Sequence, residues 1–354
     1  MPDARSYIVT GGAGFIGSNL IGELIRRDPG AAILCVDDCR SGSCANVVDA
    51  CRRLAGVAYP GDFLARSTGE VDWSELLDDV QPTAVYDLAA ITDTTVDDEQ
   101  AMIDCNVEGF RSILFSCIET STPLVYASSA ATYGSPVAGR DREAFDESAA
   151  GEPNNVYGFS KWIMENLHRT VATECSSVGA EDPAVVGLRF FNVFGPGESH
   201  KGAMASLAFQ LSRQILAGKN PRLFTAGEQA RDQVYVMDVV ECLIAGAQPN
   251  ATGGVYNCGS GEATTFNDLA DAVRQGLGVS AADRPTEYFE MPASVRAFYQ
   301  DYTCAEMSHT KEGLGWSPRF DPKSAIAKYA AHLNAERSRY TGPHDNAHCG
   351  NDSG

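Results

Sequence analysis

Gly11, Gly14 and Gly17, spaced G-x-x-G-x-x-G within VTGGAGFIGSN, constrain this chain more than any other feature. They follow a short apolar run, Ser6 to Thr10, that reads as a buried strand, and they open NLIGELIRR, whose apolar residues recur at helical spacing. Strand, tight turn and helix in that order leave backbone N–H groups at the helix start, and the missing side chains let a pyrophosphate approach them. Asp37 stands 20 residues after Gly17, at the end of a second apolar run, where a carboxylate accepts hydrogen bonds from an adenosine ribose. The combination predicts a dinucleotide site. Asp38 adds a second negative charge that repels the 2′-phosphate of NADP, so NAD is expected, while Arg40 close by keeps NADP open.

The alternation continues along the chain. Ala32–Val36, Thr83–Leu88, Leu124–Ala127 and Ala184–Leu188 are apolar runs of strand length, with helical patterns filling most gaps. Strands alternating with helices predict βαβ units with right-handed crossovers, hence a Rossmann-type α/β fold, a doubly wound parallel sheet with helices on both faces. Beyond about residue 190 the rhythm breaks into Pro- and Gly-punctuated stretches. Helices are expected there at Ala205–Ala217 and Phe266–Gly276, and strand-like returns at Gln233–Met237 and Gly254–Cys258 that pair with or cap the main sheet. The expected division is a dinucleotide-binding domain over 1–191 and about 233–258, and a smaller, interleaved C-terminal substrate-binding domain over 192–232 and 259–340. The tail, 341–354, is polar and aperiodic, and is expected to be disordered.

Forty-seven acidic residues against 27 basic ones give a net charge of -20. That field repels nucleic-acid phosphates, so DNA and RNA are not expected partners. An anionic substrate must instead be met by single cations such as Lys201 and Arg231. Eleven cysteines, an odd number without a Cys-x-x-Cys, fit reduced intracellular thiols better than a disulfide framework or zinc ribbon. Cys35, Cys39, Cys44 and Cys51 bunch together but match no ligand spacing, and no metal is expected. The chain shows neither a signal-peptide core at its start nor an apolar run of about 18 residues, so a cytoplasmic protein with no membrane partner is expected.

Tyr157 and Lys161 lie four apart in NVYGFSKWIMENL, a segment of helical periodicity, and so share one face. A nearby ammonium and a nicotinamide cation stabilise a phenolate, pulling the tyrosine from about 10 toward neutrality so that it can accept a hydroxyl proton. Ser129, in YASSAATYG just after the fourth strand, can bond the reacting substrate oxygen.

Together these residues resemble the extended short-chain dehydrogenase/reductase superfamily, and YASSAATYG, NVYGFSK, RFFNVFGPGESHKGAMAS, RDQVYVMDV and FYQDYT resemble the ADP-L-glycero-D-manno-heptose 6-epimerases. The resemblance implies an NAD(P)-dependent nucleotide-sugar epimerase that oxidises one carbinol of an ADP-heptose to a ketone and reduces it from the other face. It implies that Ser129, Tyr157, Lys161 and Lys201 are catalytic, with Tyr157 and Lys201 as separate acid/bases for the two faces. It implies a cofactor lining of Gly11, Gly14, Phe15, Ile16, Gly17, Asp37, Asp38, Leu88, Ala89, Ala90, Thr92, Asn106, Tyr157, Lys161 and Val193. Substrate contacts fall on Ser129, Asn192, Ala203, Gln210, Phe224, Arg231 and Tyr299, and a homo-oligomer is expected.

The chain departs from that pattern at Ala203, where the epimerases usually carry serine, at Gln210, where they carry histidine, and in the shorter loop FTAGEQARD. Cys44 takes the place of a lysine that would support NADP. Two alternatives therefore stand beside the heptose reading: an epimerase at C4 of an ADP-heptose or of another nucleotide sugar, and a non-catalytic NAD-binding regulator. A dehydratase is disfavoured because AATYG supplies no acid after the serine pair.

Overall fold

The computed structural model describes residues 5–93, 98–134, 142–177, 185–292 and 299–340, so the tail expected at 341–354 lies outside the described residues. The chain opens with β1 (Ser6–Thr10), α1 (Phe15–Arg27), β2 (Ala32–Val36), α2 (Cys44–Ala55), β3 (Asp62–Leu64), α3 (Trp73–Val80) and β4 (Ala84–Asp87). It continues through α4 (Glu99–Ile103), α5 (Gly109–Glu119), β5 (Leu124–Ser129), α6 (Val156–Ser177), β6 (Val185–Phe190) and β7 (Asn192–Phe194). Then come α7 (Leu207–Leu216), β8 (Arg222–Phe224), β9 (Ala230–Tyr235), α8 (Val236–Gly246), β10 (Gly254–Cys258) and β11 (Ala263–Thr265). The last elements are α9 (Phe266–Leu277), β12 (Glu287–Phe289), α10 (Ser308–Leu314) and α11 (Pro322–Tyr340).

Seven strands form one sheet in the order β10-β6-β5-β4-β1-β2-β3, and every pair in it is parallel. Strands covered on both faces read as near-continuous apolar runs, which is why β1 and β2 can be read from sequence. One face is covered by α1 and α8, where Leu20, Ile21 and Leu24 join Val239, Val240 and Leu243 in a single core. The other is covered by α3, α5 and α6 through Trp73, Leu77, Phe110, Ile113 and Met164. A second core, built from α7, α9 and α11, packs Phe209, Leu211, Leu269, Val273 and Ile326.

The sheet order reverses at β1, which pairs with β2 on one side and β4 on the other. Thr10, Val36 and Asp87 lie level with one another there, at the carboxyl ends of the strands, where open α/β sheets bind ligands. Of the two expected returns, Gly254–Cys258 joins the main sheet beside β6. The other, Gln233–Met237, is divided: β9 ends at Tyr235, α8 begins at Val236, and β9 pairs with β7 and β11 in a separate three-stranded sheet.

Candidate active site

The glycine turn between β1 and α1 is shaped by close backbone approach. Gly11 has φ +60°, and a Cβ there would stand 2.7 Å from the backbone of Leu88 and Ala89. At Gly17 it would stand 2.3 Å from the Gly11 carbonyl oxygen, so both positions require glycine. Gly14 is less crowded, 3.1 Å from the same oxygen, and precedes Phe15 and Ile16 at the start of α1. That helix start has no side-chain cap and no acid in its first turn, which favours an anion there.

Asp37 is buried at the end of β2, with Oδ2 accepting from the Ala13 N–H at 2.9 Å and Oδ1 from the Cys39 N–H at 2.8 Å. Burial pushes its carboxyl above the usual range and these two N–H groups pull it partly back. Asp37 thus braces the glycine turn to the segment that follows β2. Asp38 pairs with Arg40, Oδ2 lying 2.7 Å from Nε and 2.6 Å from Nη2. The guanidinium that could have met a 2′-phosphate is held by a carboxylate. Gly42, which sequence reading passed over, packs so tightly that a Cβ would lie 2.4 Å from the Ala13 carbonyl oxygen.

The opposite wall is the segment after β4. Thr10 Oγ1 donates to Asp87 Oδ1 at 2.5 Å and accepts from the N–H groups of Leu88 and Ala89 at 3.0 and 3.1 Å. Asn106 Oδ1 accepts from the Ile91 N–H at 2.8 Å, while Nδ2 donates to the Ile91 carbonyl and to Ser160 Oγ, both at 3.0 Å. Asn106 therefore clamps the wall to α6. Leu88, Ala89 and Ala90 are half-buried along it, Thr92 is exposed, and Val193 is half-buried on β7.

Ser129 ends β5, where its Oγ accepts from the Ala131 N–H at 3.1 Å, and it lies close enough to Tyr157 to act on the phenol. Tyr157 is half-buried in the first turn of α6, and Lys161 follows one turn later, buried. Burial pushes the Tyr157 phenol up and the neighbouring Ser129 hydroxyl draws it partly back. Burial pulls Lys161 down to about 8, against the attraction of Asp87, Cys105 and Glu165. The depressed tyrosine expected from sequence is thus not a property of the protein by itself.

Beneath these residues Glu165, on α6, accepts from Ser128 Oγ at 2.5 Å and from Arg189 Nε and Nη2 at 2.9 and 2.7 Å. Arg189 also donates to Tyr133 Oη at 3.0 Å, and Tyr133 Oη donates to Asn257 Oδ1 at 2.6 Å. Burial lowers the Arg189 guanidinium, but the bonds to Glu165 outweigh it and hold the group above its ordinary value.

Lys201 lies in the 3₁₀ turn Ser199–Met204 with Nζ 5.4 Å from the centre of the Phe15 ring, at the start of α1. Burial lowers its ammonium and Glu198 raises it. Glu198 is fully buried and anchors the turn, accepting from the Gly195 N–H at 3.2 Å, the Ser206 N–H at 2.6 Å and Ser206 Oγ at 2.8 Å. Gln210 Nε2 donates to the carbonyls of Ala203 and Ala205 at 3.1 and 2.8 Å, so two expected substrate contacts are partners of each other. Asn192 is exposed at the start of β7.

Phe224, Arg231 and Tyr299 form a separate cluster: the Arg231 guanidinium sits 4.9 Å from the Tyr299 ring centre, and Phe224 meets that ring edge-on at 5.6 Å. Arg231 is buried, and its Nη1 has no hydrogen-bond partner among the described residues. Sequence reading missed Glu165, Arg189 and Glu198. Glu165 alone left a local signal, one helical turn beyond Lys161 on the same face.

The glycine cradle, which any Cβ at Gly11 or Gly17 would fill, and the Asp37 carboxylate fit a dinucleotide. The chain belongs to the NAD dependent epimerase/dehydratase family, whose profile matches residues 7–259. Its cofactor is NAD. Among solved structures it is similar to an ADP-L-glycero-D-manno-heptose-6-epimerase of Helicobacter pylori, 28% identical with a TM-score of 0.80, covering 94% of this chain and 97% of that one. A UDP-N-acetylglucosamine 4-epimerase of Methanobrevibacter ruminantium shares the fold at 22% identity and a TM-score of 0.78, over 94% of this chain and 99% of that one. So does a UDP-glucuronic acid 4-epimerase of Bacillus cereus, solved with UDP-glucuronic acid and NAD, at 22% identity and a TM-score of 0.74 over 93% and 100%. Among the described residues no helix is long and apolar enough to cross a membrane.

Proposed function

We propose that the protein is a nucleotide-sugar epimerase and that its substrate is an ADP-heptose inverted at C6. The observation that carries the reading is the placement of Ser129 at the end of β5 close enough to Tyr157 to act on its phenol, with Lys161 one turn further along α6, at the carboxyl edge of the sheet that also bears the glycine cradle. A carbinol oxygen received by Ser129 Oγ and Tyr157 Oη is oriented by the first and loses its proton to the second. Bound NAD would supply the hydride acceptor and donor and, in its oxidised form, positive charge beside the phenol. Lys161 contributes further positive charge, and its withdrawal from water makes that charge act strongly on the phenol.

Inversion requires the ketone to present its other face to the same hydride, so its oxygen arrives at a new place and needs a second proton donor. Lys201 fills that role in the C6 reading, on a turn fixed by Glu198 and Gln210. The unpartnered Nη1 of Arg231 suits a diphosphate oxygen, with Phe224 and Tyr299 flanking the nucleotide. The likeness to the Helicobacter pylori enzyme supports the heptose. In this proposal the substrate is held by segments of 192–232 and 259–340, and the dinucleotide by the remainder of the sheet domain.

One observation favours a second reading, epimerisation at C4: Lys201 contacts Phe15 at the glycine turn, and the Gln210 amide is occupied by its own loop. In that reading Tyr157 serves both faces of a rotating ring ketone. NMR of the product formed from ADP-D-glycero-D-manno-heptose separates the two. Inversion at C6 supports the first and inversion at C4 the second; an unchanged heptose together with turnover of UDP-hexoses overturns the ADP-heptose assignment.

A further inference from the structure

Lys201 stands in the second half of the chain, yet the turn that carries it is fastened to the glycine turn of the first half. Two asparagines make the join. Asn19, fully buried on α1, donates from Nδ2 to the Phe15 carbonyl at 2.8 Å and to the Pro196 carbonyl at 2.9 Å, while its Oδ1 accepts from Arg53 Nη2 at 2.7 Å. Gly197, at φ +100°, passes so close that a Cβ there would stand 3.1 Å from Asn19 Nδ2. Asn46, on α2, donates from Nδ2 to the Ala13 carbonyl at 2.7 Å, and the same nitrogen lies 3.2 Å from Nδ1 of His200, the residue before Lys201. An amide nitrogen only donates, so this second bond needs His200 Nδ1 without a proton. Burial and, after it, the Lys201 ammonium lower the His200 imidazole, which favours the bare nitrogen. We propose that Asn19, Asn46 and His200 are positioning residues that hang the Lys201 turn on the glycine turn, so that NAD, in bracing the one, also fixes the other.

The two carbonyls gripped by the asparagines, Ala13 and Phe15, flank Gly14 at the uncapped start of α1, which suits the pyrophosphate of NAD. A pyrophosphate held there restrains the same backbone from which Asn19 and Asn46 reach across to Pro196 and His200. Lys201 shares the join directly, through its contact with the Phe15 ring. The turn beyond is tied to itself: the Lys201 N–H donates to the Glu198 carbonyl at 3.0 Å, and the Glu198 carboxylate accepts from the Gly195 N–H on one side and the Ser206 N–H on the other. A shift at Pro196 or His200 therefore moves Lys201 instead of being absorbed between them.

The consequence for turnover rests on the reading of Lys201 as the second proton donor, whereas the join itself does not. An ammonium that must meet one face of a ketone tolerates little error, because a misplacement of about 1 Å costs on the order of 10²-fold. By linkage the coupling is reciprocal: whatever holds the Lys201 turn closed also favours the glycine turn that receives NAD.

Hydrogen exchange followed by mass spectrometry, on the full-length protein with and without saturating NAD, reads the join in peptides covering 199–206. The N–H groups of Lys201, Ala205 and Ser206 are hydrogen-bonded there and exchange when the turn opens. NAD should slow that exchange on the order of tenfold. His200→Leu removes the acceptor facing Asn46 and leaves the Ala13 bond in place, so it should bind NAD as before and lose most of the protection. His200→Asn, whose Oδ1 can stand where Nδ1 stood, should keep the protection. In turnover His200→Leu should lower kcat on the order of tenfold with KM for the nucleotide sugar unchanged, and His200→Asn should restore it. NAD protection absent from the wild type, equal in His200→Leu and wild type, or lost as fully in His200→Asn as in His200→Leu would overturn the proposal. Exchange as expected with an unchanged kcat in His200→Leu would uphold the join and count against Lys201 as the proton donor.

Discussion

Replacing Glu165 by glutamine should be among the most damaging conservative changes this chain can suffer. Glu165 and Arg189 are both 0% exposed, so their charges are balanced only by each other and by the groups bonded to them. The amide keeps the volume but removes the charge, leaving a guanidinium out of water with an N–H₂ group facing one of its own donors. Removing one partner of such a pair costs about 3–5 kcal/mol. Against a usual total of about 5–15 kcal/mol that is a large share of the stability. Arg189→Met should be milder, because Glu165 keeps its bonds to Ser128 and to Arg169, whose side chain is 41% exposed. The double variant Glu165→Met/Arg189→Met should recover much of the loss, since a well-packed apolar pair often replaces a buried ion pair at little net cost. Urea unfolding followed by circular dichroism measures all three. A Glu165→Gln protein within about 1 kcal/mol of wild type, or a double variant as unstable as the two single losses added together, would refute the reasoning.

Tyr157→Phe removes one oxygen and keeps the ring, so folding and NAD binding should persist while turnover falls about 10²–10⁴-fold; retained activity would exclude Tyr157 as the acid/base. Lys201→Met should lower kcat and kcat/KM together, whereas a raised KM with unchanged kcat would assign Lys201 to binding and favour the C4 reading. Lys161→Met should stabilise the fold at pH 7 while abolishing turnover. Burial depresses this lysine from 10.5 to about 8, so its ammonium opposes folding below that pH and the penalty fades as pH rises through the interval between the two values. Melting temperatures from pH 7 to 10.5 should therefore show the gap between variant and wild type closing, and a constant gap would contradict the assignment.

The parts legible in sequence were those where a local pattern carries the physics. Strands β1 and β2 are covered on both faces and announce themselves as short, mainly apolar runs; Gly11 and Gly17 have no substitute. The edge strand β3 and the short strands β7, β8, β11 and β12, each of three residues, are too brief to show any period. Tyr157 and Lys161 were visible because helical spacing puts them on one face. Glu165 and Arg189 were not recognised as a pair, since their contact crosses from α6 to β6 and depends on the packed sheet. The bonds from Gln210 Nε2 to the carbonyls of Ala203 and Ala205 were not foreseen either, because they are set by loop geometry rather than residue type.

The central claim is that this site inverts a carbinol by removing and returning a hydride. The most direct measurement is to run the reaction in D₂O and examine the inverted carbon of the product by NMR and mass spectrometry. A hydride held within the protein and returned to the same carbon leaves protium there, and that is the predicted result. Deuterium from solvent at that carbon would mean that the hydrogen left as a proton, and would contradict the account.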